Sequence, residues 1–513
     1  MKLSTPAALR QALVLHSPRH QGARSSWRAV LIHVLVLGLW AALLREAWVQ
    51  GGHMGMSMGM GSGAMAWSLG VAYVTYDTLL LAFVATQTWR LLNTARPAAH
   101  LPLQRHPHRK PTIGVIVAAH NEAAVLPVTL QALLDQTDRP DQIIIADDGS
   151  TDGTARLLRD RWGILEPQPG ELSGSSPRHR GLCWLRLPHG GKATALNHAL
   201  TRVKTDVVLT VDGDTLLDAQ AIAAVRRAFA ADPHLVAATG IITPVCSRDL
   251  KGRIFQWFQT YEYIRNFLSR YAWSRLNSLL LVSGAFACFR RDAVLTVGGF
   301  DGDCLVEDYE LIHRLHRHAR DQGLPWRVDV LGDAQAQTDA PSTLGTFLRQ
   351  RRRWFGGFLQ TQFWYRDMVA NPRMGALGLL MLPVKALDTL QPLYGITAFL
   401  LLIGFVLTGH TQFVGPVFTI MGIKVLIDLA YHLWSIQLYR RWTGDPHRGH
   451  IGHALLASII EPLTFQLLRH LGAMLGWWTA LTGSATWGHS ADRGLSEHHE
   501  AAPIDDESEL HAG

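Results

Sequence analysis

Two blocks of apolar sequence, separated by a long stretch in which short apolar runs alternate with amphipathic segments, set the main limit on how this 513-residue chain can fold. Residues 29–44 and 66–89 lie before that stretch, and residues 393–407, 413–438 and 454–481 lie after it. A helix needs roughly 20 mostly apolar residues to cross a bilayer, and these windows approach that length. The chain is too long for one ordinary domain. With 48% hydrophobic and 17% charged residues it is also richer in apolar groups than most soluble proteins, so part of it is expected in lipid.

The basic residues suggest an orientation. Lys2, Arg10, Arg19, Arg24 and Arg28 precede the first window, residues 51–65 contain neither Lys nor Arg, and Arg90, Arg96, Arg105, Arg109 and Lys110 follow the second window. Cytoplasmic flanks carry the excess of positive charge, so residues 1–28 and the central stretch are both expected inside the cell. A cleaved signal peptide is the rival reading of the first window. The late start of the apolar run and the second window close behind it speak against that reading.

The four cysteines, Cys183, Cys246, Cys288 and Cys304, show no metal-ligand spacing and read as reduced structural thiols. The formal charge of +7 fits basic loops beside spans and an anionic substrate. No basic stripe with interleaved aromatics points to nucleic acid. His53, Met54, Met56, Met58, Met60 and Met65 offer soft ligands of the kind copper takes, but their glycine-rich setting favours a flexible connector. The acidic tail, 497–513, is expected to be disordered.

In the central stretch, apolar runs at 113–119, 142–146, 182–187 and 206–211 alternate with helical patterns at 123–136, 152–162 and 192–203. That alternation predicts a parallel sheet covered by helices. Residues 166–180, rich in Pro, Gly and Ser, read as a surface loop. Ligands of such sheets bind beyond the carboxyl ends of the strands. Asp147-Asp148-Gly149-Ser150 and Asp212-Gly213-Asp214 both end predicted strands, so one crevice should hold both.

Two carboxylates around a glycine, Asp212 and Asp214, can divide the work of contacting a nucleotide and holding Mg²⁺ or Mn²⁺, which prefer oxygen ligands. An acidic turn capping a helix is the other reading of either cluster. His189-Gly190-Gly191-Lys192 opens a helix, where the glycines permit close backbone approach and Lys192 can meet a diphosphate; a plain loop with a solvated lysine is the alternative. Glu307 and Asp308 begin a further helix, either as charges matched to its dipole or as a general base. Gln350-Arg351-Arg352-Arg353-Trp354 follows, just upstream of the second apolar block.

Taken with Gly191-Lys192 and Ser283-Gly284, these elements resemble the processive, membrane-embedded family-two inverting glycosyltransferases. Relatives of that type include the poly-N-acetylglucosamine, chitin-oligosaccharide, hyaluronan and cellulose synthases. The resemblance runs motif by motif over about residues 113–358 and is specific for the superfamily rather than the sugar. It implies an α/β nucleotide-sugar-binding domain of the GT-A-like type inserted between transmembrane helices of a multi-pass protein. The expected parts are residues 1–28, a cytoplasmic segment; 29–89, two spans with a Gly/Met-rich outer loop; and 111–343, the transferase domain. After these come 344–390, carrying the Q-x-x-R-W element and interfacial helices; 391–482, the C-terminal spans; and 483–513, a polar tail.

The same resemblance implies residue roles. Asp148, with Asp147, would contact the uridine of a UDP-sugar, and Lys192, Asp212 and Asp214 would serve the nucleotide, the last two also holding Mg²⁺ or Mn²⁺. Asp308 rather than Glu307 would be the catalytic base. Ser283 and Gly284 would line the acceptor site, with Gln350, Arg353 and Trp354 meeting the diphosphate and the acceptor sugar. Arginine suits a departing diphosphate, and tryptophan gives a sugar an apolar face to stack on. Many relatives have Thr before Glu-Asp where this chain has Val306, which bears on the subgroup.

The implied partners are a UDP-sugar, chiefly UDP-N-acetylglucosamine, a polysaccharide or lipid-linked acceptor, membrane lipid and a small accessory membrane subunit, with no nucleic acid. The implied location is the inner (plasma) membrane. Transfer of one sugar to a lipid-linked acceptor and an inactive membrane scaffold are the competing readings. Asp77, Lys424, Asp428, Glu461 and Arg469 fall inside apolar windows, where charge is costly. They read either as lining a polymer route or as snorkelling to an interface. Residues 374–390, with Lys385 and Asp388, read as an interfacial helix, and His313, His316 and His318 as solvated.

Overall fold

The computed structural model describes residues 5–21, 27–51, 60–92, 110–407, 414–444, 451–482 and 495. His53, Met54, Met56 and Met58 of the soft-ligand cluster and the acidic tail lie outside the described residues.

β1 (Ile113–Ala119), β2 (Gln142–Asp148), β3 (Leu182–Leu187) and β4 (Val207–Asp212) are almost entirely buried and rich in Val, Ile, Leu and Ala, as strands covered on both faces must be. With β5 (Thr215–Leu217), β6 (Leu235–Val245), β7 (Phe286–Arg290) and β8 (Arg327–Asp339) they form one sheet in the order β3-β2-β1-β4-β7-β6-β8-β5. The first four are parallel, as their alternation with helices predicts. The other half corrects that expectation, because β7 runs antiparallel to both β4 and β6 and β5 antiparallel to β8. Between β6 and β7 the chain passes through a long helix, and β7 then enters the sheet from the same end at which β6 leaves it.

Register places the acidic clusters. Ala119 pairs with Asp147 on one side of β1, and Ala118 pairs with Asp212 on the other. With neighbouring strands about 4.8 Å apart, the carboxyl ends of β2 and β4 lie on the order of 10 Å from each other.

The covering helices of this half are α4 (Leu126–Leu134), α5 (Thr154–Trp162), α6 (Lys192–Arg202) and α7 (Ala221–Ala231). α4 starts three residues later than the apolar pattern suggests, with Pro127 in its first turn. α5 starts after Asp152, whose carboxylate accepts from Thr154 N at 2.9 Å and from Ala123 N at 3.0 Å. Ahead of the sheet, α1 (Pro6–His16) buries Leu9, Ala12 and Leu13 and packs on α9 (Arg291–Val297). Arg19 then reaches Asp303 at 2.5 Å and Asp301 at 3.4 Å, so the N-terminal segment is braced against the loop leading to Glu307.

α10 (Glu307–Asp321) carries a fully buried ion pair, Glu310 with Arg314 at 2.5 Å, which Tyr365 completes by donating its hydroxyl to Glu310 at 2.5 Å. The expectation of solvated histidines fails here. His313 and His316 are buried, and His318 is partly covered by Trp326 and His16. α10 is enclosed on nearly all sides, so its polar pattern reports internal hydrogen bonds rather than a wet face.

Two helices separate the sheet domain from the apolar ones: α8 (Leu250–Ser274) and α11 (Leu344–Trp364). The apolar helices are α2 (Trp27–Gly51), α3 (Met60–Thr88), α12 (Leu382–Leu407), α13 (Val414–Thr443), α14 (Ile451–Ile460) and α15 (Phe465–Thr482). Among the described residues one helical stretch, Phe418–Thr443, is long and apolar enough to cross a membrane, and Trp27–Ala42 is a shorter apolar stretch. The separate interfacial helix expected at 374–390 is not formed. A single helical turn at Pro372–Met374 and a π-turn at Leu377–Met381 lead into α12, which continues through Pro392. The window at 454–481 is broken by Glu461–Leu463 into α14 and α15.

The charged groups in these helices are paired. Arg265 on α8 holds Glu461 through Nη1 at 2.9 Å and Nη2 at 2.5 Å, and Arg469 lies 3.6 Å from both Glu461 and Glu262. Lys424 contacts Asp77 at 2.8 Å and also Asp428. α11 packs closely on α15, where a side chain at Gly476 would meet Gly356 N at 2.7 Å.

An imidazole ordinarily titrates near pH 6.5, and burial pushes His313 and His316 down to about 4. Between those values the unfolded chain takes up protons that the folded chain refuses, so stability is full above pH 6.5 and declines toward pH 4. The unfolding midpoint of the purified chain should fall across that window, with a shallower slope in His316→Gln. An identical slope in both proteins contradicts this assignment.

Candidate active site

Asp147 and Asp148 share a sequence motif but not a task. Asp147 is buried, accepting from Ser150 N at 2.9 Å and from Trp184 Nε1 at 3.1 Å, and it is absent from the wall of the central cavity. Asp148 does line that cavity, and its two oxygens accept from Gly190 N at 2.8 Å and Gly191 N at 2.9 Å. The carboxylate thereby fixes the loop that opens α6. Gly149 permits this approach: its φ is +70°, and a side chain there would meet His189 N at 2.6 Å.

Lys192, at the start of α6, extends its ammonium to Asp212 at 2.5 Å and toward Glu307 at 3.8 Å. Those two carboxylates hold it protonated well above the ordinary lysine range despite burial. Glu307 is itself pushed up by burial, an effect that Lys192 opposes. The loop residues Ser283 and Gly284 close the other side. Gly284 N donates to Asp308 Oδ2 at 2.6 Å, Tyr309 N donates to Asp308 Oδ1 at 2.8 Å, and a side chain at Gly284 would lie 2.9 Å from Asp308 Oδ2. Two backbone donors thus orient the Asp308 carboxylate, which remains partly exposed to the cavity.

On α11, Gln350, Arg353 and Trp354 also line the cavity. Arg351 has another role. It is buried, donates to Glu262 at 2.7 Å and stands over the Trp354 ring at 4.4 Å, so it fixes the indole in place. The cavity, about 730 Å³, therefore brings together every anticipated site residue except Asp147, and it reaches Asp77 on α3 and Asp388 on α12.

Some residues of this site were not anticipated. Glu122 follows β1 and neighbours Gly213; its carboxyl is pushed up to about 9 by burial and by the charges of Asp214, Asp212, Asp339 and Asp152. Asp214 is likewise raised, by burial and by Asp212. The available signal was Asn121, which takes φ +58° at the strand exit and whose Oδ1 accepts from Thr151 N at 2.7 Å, tying the β1 and β2 exits together. A turn-forming Asn followed by an acid after a buried strand is the same pattern as the two clusters that were recognised. His120 and His189, with ring centroids 4.5 Å apart, bring ligand atoms within 4.8 Å of Asp148 and form a second group able to hold a metal ion.

Residues 114–298 match glycosyl transferase family 2, and residues 207–414 match glycosyl transferase family group 2. The chain carries a family 2 glycosyltransferase domain. Among curated proteins it is similar to poly-beta-1,6-N-acetyl-D-glucosamine synthase of Staphylococcus aureus strain COL, 29% identical over 261 residues that make up 49% of this chain and 57% of the relative. The corresponding synthase of Staphylococcus epidermidis is 27% identical over 257 residues, 49% of this chain and 56% of the relative. The matched region thus spans a little over half the length of either relative. Among solved structures, a mannosyltransferase from Pyrobaculum calidifontis in complex with GDP-Man and Mn²⁺ aligns with a TM-score of 0.50 at 21% identity, covering 78% of this chain and 99% of that one. This likeness assigns the fold as GT-A-like.

Lys192→Met removes the cation that lies between Asp212 and Glu307. Glycosyl transfer is expected to fall by about 100-fold, since a preorganised charge in the cavity is lost. Turnover within about twofold of wild type would show that the ammonium is structural only.

Proposed function

We propose that the protein is a membrane-embedded, inverting β-glycosyltransferase that takes sugar from a UDP-sugar, UDP-N-acetylglucosamine foremost, and adds it to a growing polysaccharide. The reading rests on one observation above all: a single cavity is lined by Asp148, Asp212, Asp214, Asp308 and Trp354 and also by Asp77 and Asp388 on apolar helices. A donor site, an acceptor site and an exit toward the membrane fit that arrangement. The similarity to poly-beta-1,6-N-acetyl-D-glucosamine synthases favours the sugar.

In this reading Asp308 accepts the proton of the acceptor hydroxyl, whose oxygen forms the new bond to the anomeric carbon. The bond from that carbon to the diphosphate breaks, and the electron pair leaves with UDP. A single displacement turns an α-linked donor into a β-linked product. Lys192 and Arg353 meet the charge that grows on the diphosphate, and Trp354 gives the acceptor sugar a face to stack on. Asp148 positions the uridine, and Ser283 and Gly284 shape the acceptor side.

Asp212 and Asp214 suit Mg²⁺ or Mn²⁺, being oxygen donors in an acidic group that also includes Glu122 and Asp339, in which burial and neighbouring carboxylates push Glu122 and Asp214 up. Bound there, the ion would neutralise diphosphate charge. Residues 111–343 would be the cytoplasmic catalytic domain, 344–390 the segment joining it to the membrane, and 29–89 and 391–482 the spans of the inner (plasma) membrane. Such a layout is compatible with a small accessory membrane subunit.

The test is to give membranes containing the full chain Mg²⁺ or Mn²⁺ and a panel of labelled UDP-sugars, measuring UDP release and product length. UDP-N-acetylglucosamine should give long product, and Asp308→Asn should lower the rate by roughly 10²- to 10⁴-fold. Short, lipid-extractable product would replace polymerisation by single transfer, and background rates across the panel would replace the enzyme by a scaffold. A chelator should abolish activity, with recovery on adding Mn²⁺; full activity in the chelator would remove the metal from the account.

A further inference from the structure

Arg270 is a cation in the cavity to which the reaction outlined above gives no role. It lies in the last turns of α8, with its guanidinium 4.4 Å from the centre of the Phe267 ring. Its Nε and Nη1 are buried, and neither has a hydrogen-bond partner. Asp308 and Tyr263 are close enough to act on it electrostatically, yet neither forms an ion pair with it, and burial pushes the guanidinium down to about 10. Neighbouring cations are differently placed: Lys192 is held by Asp212, Arg351 by Glu262 and Arg265 by Glu461.

Leaving two adjacent N–H groups of a guanidinium unmet away from water is costly unless a ligand supplies the oxygen. A second unmet group lines the same cavity from α11: Gln350 Oε1 is buried without a partner. One helix thus offers two donors fixed in the guanidinium plane and the other an acceptor, and Asp308 and Trp354 line the same cavity. A sugar hydroxyl both donates and accepts, and adjacent substituents of a pyranose present such oxygens together. A nucleotide diphosphate would satisfy the arginine but would leave the Gln350 oxygen facing a second acceptor.

We propose that Arg270 is an acceptor-binding residue, donating from Nε and Nη1 to oxygen substituents of the terminal sugar while Gln350 Oε1 accepts from a hydroxyl of the same ring. The sugar is thereby held with one hydroxyl directed at Asp308. This inference rests on the glycosyl-transfer reading and adds the residue that selects the acceptor. Arginine is suited to the task because its planar guanidinium fixes the directions of several donors, which the lysine ammonium does not.

The test uses the full chain, UDP-N-acetylglucosamine and a short β-1,6-linked N-acetylglucosamine oligomer as acceptor probe. Arg270→Met should lower kcat/KM for the oligomer by about tenfold or more, with the KM for the nucleotide sugar within about twofold of wild type. Arg270→Lys should recover less than half of the loss, because a single ammonium does not reproduce two donors held in fixed directions. UDP should still raise the melting temperature of both variants, which establishes that they fold. A parallel rise in donor KM, full recovery by lysine, or an unchanged acceptor constant in an otherwise active enzyme would each overturn the role of Arg270 alone. A wild-type protein that turns over no UDP-sugar would overturn the parent reading and this inference with it.

Discussion

The contact of Lys192 with Asp212 and Glu307 is the interaction on which the organisation of the site turns. It joins the end of β4 to the start of α10 across the first turn of α6, and so links three elements remote in sequence. Without a cation there, Asp212, Asp214, Glu307 and Asp308 would face one another across a partly buried space, where like charges repel strongly. Asp148 acts on the same loop from the other side by accepting from Gly190 and Gly191, which sets where α6 begins. The site is thus held by backbone N–H groups and one ammonium rather than by apolar packing.

Much of this was legible in the sequence because two of its signals are local. Buried strands announce themselves as largely apolar runs, and β1 and β3 end where those runs end. Carboxylates at strand exits then fall beside one another because parallel register leaves no other place for them. Information that depends on long-range pairing was not legible. Nothing in Phe286–Arg290 says that the strand enters in reverse. Asp147 and Asp148 look equivalent until the partners of each are known. His313 and His316 resemble surface residues because the partners that cover α10 come from elsewhere in the chain.

The charges inside the apolar windows teach a related lesson. Read alone, Glu461 and Arg469 suggested a polar path or snorkelling ends. In the fold they meet Arg265 and Glu262 on α8, and Glu262 in turn holds Arg351 beneath Trp354. A buried pair of this kind adds little net stability but is costly to break on one side only, so it fixes position more than it strengthens the fold. The chain of contacts runs from the break between α14 and α15 to the indole that faces the cavity, and it explains why Arg351 is set apart in geometry from Arg353 within one short motif.

The cavity between the strand ends and α11 is the proposed binding place of a nucleotide sugar. The most direct measurement is an experimental density map of the full chain with UDP and Mn²⁺. The diphosphate is expected beside Asp212 and Asp214, the uracil against Asp148, and the cavity next to Asp308 and Trp354 left open for an acceptor. Nucleotide bound elsewhere, with Lys192 still closed on Asp212, would contradict this placement.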